Sequence, residues 1–150
     1  MAPLQTKGVL LVASVVSIFA LLTVGAFVTA ENYGGECGSL VGQDYPLCQG
    51  RLFPPLQAGP VAEYAHRLLA SLSSLLLFLT TFLFWRSKDS LPASRRSLYV
   101  ASLLIIAEVI LGAAVVVGAE PAWLVTLHQA NALLVFGFTI AALAVELQTQ

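Results

Sequence analysis

The chain has 150 residues, of which 58% are hydrophobic and 10% charged. An ordinary soluble domain carries about 25% charged residues, so a soluble globular domain is excluded, and the mean hydropathy of +0.87 agrees. A net charge of -1, with no basic tail and no Gly-rich phosphate loop, points to no nucleic-acid partner and leaves membrane lipid as the surroundings.

The apolar residues fall into four runs, each long enough at about 20 residues to cross a hydrocarbon core of roughly 30 Å. Lys7 precedes the first, 8–30. This run is too long for the core of a cleaved signal peptide, so a retained helix is expected. The segment 31–60 carries Cys37, Cys48 and the prolines Pro46, Pro54, Pro55 and Pro60. Its prolines and glycines break any long regular element and predict a folded-back loop. The second crossing covers 61–85, and Arg86, Lys88, Arg95 and Arg96 follow it in the loop 86–97. That is the densest positive cluster in the chain. By the positive-inside rule it is cytoplasmic, which puts both termini inside and the 31–60 loop outside. The third crossing covers 98–118, and a tight connection through Glu120 and Pro121 leads to the fourth, 123–146. Tyr33, Tyr64 and Trp123 then sit at the outer interface and Trp85 and Tyr99 at the inner one. The fold class is all-α: one polytopic membrane domain, an antiparallel up-down-up-down four-helix transmembrane bundle.

The chemistry-bearing residues cluster at the heads of the second and fourth crossings. Glu63, His66 and Arg67 stand three and four residues apart, on one helix face. His128 occupies a similar offset in the fourth crossing, and these are the only 2 histidines. At 1.5 Å per residue both lie about 7–8 Å below their helix starts, on helices that run the same way. Two imidazoles at equal depth suit the axial positions of one haem iron, and bundle cores are a common home for such cofactors. Zinc is the weaker option, because it wants three or four protein ligands. Glu63 is placed for an ion pair with Arg67 and for proton transfer beside a haem edge. Arg67, and Arg51 in the loop, are candidate partners for haem propionates. Glu108, in the middle of the third crossing, costs about 2.5–3.5 kcal/mol to insert and so needs a partner in the bundle, a proton-moving role or an oligomer interface. Gly112, on the same face, leaves room for a close neighbour or a flat ligand. Asn131 or a backbone carbonyl is the candidate acceptor for the second ring nitrogen of His128. Cys37 and Cys48, in a loop that faces an oxidising compartment, are expected to form a disulfide, structural rather than catalytic because they lack Cys-x-x-Cys spacing.

These residues resemble a known family. Glu63-x-x-His66-Arg67 at the head of a helix is similar to the heme A synthase (CtaA-type) family. So is the loop before it, from Cys37-Gly38 to Tyr45-Pro46-Leu47-Cys48-Gln49-Gly50-Arg51. Glu108 to Gly112 is similar to a Gln-x-x-Leu-Gly element of the third helix, and Leu127-His128 fits the histidine of the fourth. The resemblance implies a membrane oxidoreductase that converts a methyl group of haem O to the formyl of haem A. It implies His66 and His128 as axial ligands, Glu63 as the acid near the reacting edge, and Cys37–Cys48 as the outer disulfide. The implied cofactor is haem, as haem b or as haem O and haem A. A heme O synthase is the implied supplier and a terminal oxidase the user. The chain departs from the pattern in having Glu108 for glutamine, Tyr45 for tryptophan, wider cysteine spacing, and no Thr-Gly-Ser-Gly run before Cys37. Family members join two four-helix halves, whereas this chain has one histidine pair. That implies a homo-oligomer, a dimer first and a trimer second. Two rival readings share parts of the pattern: a bis-histidine b-type cytochrome for electron transfer only, and a quinone-linked thiol oxidase that uses the outer cysteines.

Overall fold

A computed structural model describes residues 6–39, 44 and 47–148; Tyr45 and Pro46 lie outside the described residues. Four helices account for most of them: α1, Thr6–Ala30; α2, Ala58–Arg86; α3, Pro92–Val117; and α4, Ala122–Leu147. All four are long and apolar enough to cross a membrane, and the chain is a multi-pass membrane protein. Helices close every interior backbone hydrogen bond within themselves, which hydrocarbon requires.

Proline and the turn residues set the helix ends. Pro60 lies in the first turn of α2 and Pro92 opens α3, where the missing N–H would have had no helical partner. α3 therefore starts well ahead of the apolar run at Leu98, and Arg95 and Arg96 ride on its first turns. Between α3 and α4 the chain reverses through Ala119 and Glu120, both left-handed at φ 56° and 58°. The N–H of Glu120 returns to the Val115 carbonyl at 2.9 Å.

Each helix packs against its chain neighbours, and α1 closes the ring on α4; α1 faces α3, and α2 faces α4, only across the diagonals. The contacts within the α1–α2 and α3–α4 pairs are the more extensive. Leu11 and Ile18, Leu77 and Phe84, Leu98, Ala101 and Ile105, and Val135 and Ala142 form one buried cluster. In chain terms these are the early part of α1, the late part of α2, the early part of α3 and the late part of α4. They fill one half of the bundle. The other half, capped by the α1–α2 loop, is left for a cavity. Leu75 and Ile110 point outward, as lipid-facing residues do.

Apolar contact gains little between helices that lie in lipid, so polar pairs in the packed half matter. Ser14 donates to the Leu10 carbonyl at 2.9 Å, which leaves the Thr80 hydroxyl to donate to Ser14 Oγ, also at 2.9 Å. Thr81 and Ser102 join α2 to α3 at 2.8 Å. Lys7 reaches Ser87 and Ser90 at 3.4 and 3.3 Å and ties the start of α1 to the α2–α3 connection. A double-mutant cycle of Ser14→Ala and Thr80→Val, read by thermal unfolding in detergent, should give a coupling of about 0.6 kcal/mol and no more than about 1.7. Strict additivity would show that this bond holds nothing.

Candidate functional site

The loop-side half of the bundle holds a cavity of about 650 Å³, lined by His66, His128, Glu63, Arg67, Glu108 and Glu120 among apolar side chains from α1, α3 and α4. Pockets for cofactors and ligands run from about 300 to 1,000 Å³. α2 and α4 lie diagonally across it, so their histidines enter from opposite sides. Each ring rests on a glycine of the helix its own helix packs against most. A Cβ added to Gly25 on α1 would come within 2.9 Å of His66 Cε1. One added to Gly112 on α3 would come within 3.1 Å of His128 Cε1. A side chain at either place would push the imidazole out of position.

The two rings differ in what stands behind them. Glu108 Oε1 lies 2.9 Å from His128 Nδ1, off the straight line of the ring N–H. The Asn131 amide donates to Glu108 Oε2 at 2.6 Å and to the Leu104 carbonyl at 3.0 Å. Glu108, not Asn131, therefore stands at the second ring nitrogen, and Asn131 holds Glu108. His66 Nδ1 is buried too and makes no hydrogen bond among the described residues, and no carboxylate is paired with it there.

Glu63 is 2% exposed and ties the α1–α2 loop to the head of α2. Its Oε2 accepts from the Cys37 N–H at 2.6 Å, and its Oε1 accepts from Arg67. A buried carboxylate needs such donors. The Arg67 guanidinium also donates to the carbonyls of Gly38 at 3.1 Å and of Asp44 and Leu47 at 3.0 Å each. The same guanidinium thus lines the cavity and holds the loop. Cys37 and Cys48 form a disulfide, and both are fully buried against the Pro60 carbonyl. Thiol exchange needs access to a sulfur, which this burial denies. Arg51 is exposed and does not line the cavity.

Two cavity residues escape a reading of the sequence. Gly25 carries the same signal as Gly112, a glycine inside a helix, where it is normally unfavourable unless something approaches closely. Glu120 looks like a turn residue, yet its carboxylate lies against Gly34, where an added Cβ would meet it at 2.6 Å, and it reaches the cavity.

The fold and cavity define a class: a multi-pass membrane bundle with an internal two-histidine pocket beneath a disulfide-pinned loop. The chain belongs to the COX15-CtaA family, described as cytochrome oxidase assembly protein, whose model matches residues 2–140. It is similar to the heme A synthase of Bacillus pumilus, 30% identical over 134 residues that make up 87% of this chain and 42% of that protein. It is 32% identical over 142 residues to the heme A synthase of Shouchella clausii, covering 92% of this chain and 43% of that protein. A protein of Natronomonas pharaonis named protoheme IX farnesyltransferase 1 matches over 141 residues at 32% identity, 94% of this chain and 28% of its own length. The chain thus spans about two-fifths of the heme A synthases it matches, 42% and 43%. No solved structure matches it.

Arg67→Ala would leave Glu63 buried without its cationic partner and release three loop carbonyls. Such a loss costs about 3–5 kcal/mol. The expected result is a lower melting temperature and faster reduction of Cys37–Cys48 by external thiol, followed by alkylation and mass spectrometry. An unchanged reduction rate would show that Arg67 does not hold the loop.

Proposed function

We propose that the cavity holds a haem between α2 and α4 with His66 and His128 as axial ligands, and that the chain oxidises the methyl group of haem O to the formyl of haem A. The observation that carries this is the histidine pair: two imidazoles, from diagonally opposed helices, lining one cavity, each seated on a glycine. The family membership and the relatives named heme A synthase support the reaction. The Natronomonas relative is named for farnesylating protohaem. Farnesylated haem is the substrate required here, which supports a heme O synthase as supplier, and the family description, cytochrome oxidase assembly protein, supports a terminal oxidase as user of the product.

A bound haem supplies the redox chemistry. The protein's own residues do the rest. His66 and His128 orient the ring, and Gly25 and Gly112 fix the depth of the two imidazoles. The α1–α2 loop, held by Arg67 and the disulfide, excludes bulk water from the cavity. Glu63, which lines the cavity at the loop end, holds or accepts a proton at the substrate's edge. From methyl to formyl, two electron pairs leave and one oxygen atom arrives. Arg86, Lys88, Arg95 and Arg96 place the α2–α3 connection, with both termini, on the cytoplasmic side and the disulfide loop outside. A homodimer, with a trimer as the second arrangement, would bring two histidine pairs together.

The same pair favours one other reading. A nitrogen for each axial position also suits a b-type cytochrome that only passes electrons. Haem extracted after co-expression with a haem O supplier separates the two. Haem A or hydroxylated haem O supports the enzyme; haem B alone supports the cytochrome. His66→Ala and His128→Ala should each abolish the low-spin haem spectrum, and an unchanged spectrum in both refutes the ligand assignment. Glu63→Gln should keep that spectrum and slow conversion by about 10²–10⁴-fold. Full conversion in this variant removes the proton role.

A further inference from the structure

The two half-sites are built to one plan. On α1, Leu21 and Gly25 lie one turn apart beneath His66; on α3, Glu108 and Gly112 lie one turn apart beneath His128. Residues four apart on a helix share a face, so each glycine seats a ring while Leu21 and Glu108 occupy matching places one turn away, both lining the cavity. The plan is broken at one place. Among the described residues no carboxylate is paired with His66. Beside His128 Nδ1 a carboxylate oxygen stands at 2.9 Å, off the straight line of the ring N–H.

We propose that Glu108 is a positioning residue that makes the two axial imidazoles unequal, by acting as the acceptor at His128 Nδ1. The proposal rests on the bis-histidine haem reading above. An acceptor at Nδ1 keeps the ring proton there, leaves the lone pair on Nε2 for a metal, and makes that nitrogen a stronger donor. Carboxylate–histidine pairs do this at many metal centres. The surroundings of Glu108 fit an acceptor. It is 9% exposed, one oxygen faces the ring, and the other takes the Asn131 amide proton at 2.6 Å. Asn131 itself stands three residues after His128 on α4, on the same face. The unit Glu108–Asn131–His128 is thus closed within the α3–α4 pair, with no contribution from α1 or α2. A stronger nitrogen donor on one axial side stabilises the oxidised form of a bound haem and lowers its midpoint potential. The bundle then presents one electron-rich ligand and one ordinary ligand to the same iron.

The test uses the whole chain purified in detergent with its haem. The readouts are the midpoint potential from an optical redox titration, the paramagnetic resonance spectrum of the oxidised low-spin form, and haem affinity. Glu108→Gln keeps the shape and a weaker acceptor; its potential should rise and its resonance positions shift. Glu108→Leu reproduces the α1 half-site; its potential should rise further, and haem affinity should fall by about 10–100-fold. A role confined to packing would move melting temperature or haem content and leave the potential of the Gln variant where it was. Wild-type protein with low-spin haem and a Gln variant of unchanged potential and resonance overturns the proposal alone. Wild-type protein without low-spin haem overturns the bis-histidine reading and this proposal together. If the Leu variant fails to fold, the Gln variant decides.

Discussion

In hydrocarbon, helices gain little by burying apolar surface on one another, so their spacing is set where small residues let backbones and flat rings come close. Here that constraint acts twice, at Gly25 under His66 and at Gly112 under His128. Each contact draws one helix pair together on the loop side of the bundle. The two pairs then face each other across a gap, with one ring on either flank. The gap persists because the bulky buried residues, Leu77, Phe84 and Leu98 among them, occupy the opposite half. Packing at one end and ring-on-glycine contact at the other together make a bundle that is solid below and hollow above.

The α1–α2 loop is tied to the head of α2 by polar groups. Glu63 accepts the Cys37 N–H, Arg67 gathers three carbonyls, and the buried disulfide shortens the span between them. Glu63 therefore belongs to the lid and to the cavity at once. Any change in its hydrogen bonding is felt by the loop whose Gly34, Gly38 and Ser39 line the cavity. That linkage gives a physical reason for the Glu-x-x-His-Arg spacing: carboxylate, ring and guanidinium share one helix face, and one turn of helix connects lid to ligand.

A buried acid in the third helix would be a burden if it stood alone. It stands between an imidazole and an amide, and it distinguishes two rings that are alike in each resting on a glycine. A bundle spanning about two-fifths of its longer relatives, 42% and 43%, holds both histidines in one cavity, with a carboxylate against only one of them among the described residues.

The sequence by itself determined the class of fold, because four apolar runs of sufficient length admit little besides a helical bundle in lipid. It also determined the candidate ligands, since the chain has only 2 histidines. The local trio Glu63, His66 and Arg67 was legible too, because contacts three and four residues apart follow from helix geometry alone. Only the tertiary structure decided which groups meet across helices. That Glu108 lies against His128 with Asn131 behind it, that Gly25 seats His66, that Glu120 reaches the cavity and Arg51 does not, all depend on the rotation and register of one helix against another. A single helix carries no record of its neighbour's register. The acid and the ring it faces lie on separate helices, 20 positions apart in the chain, and become partners only when α3 and α4 lock together at Gly112.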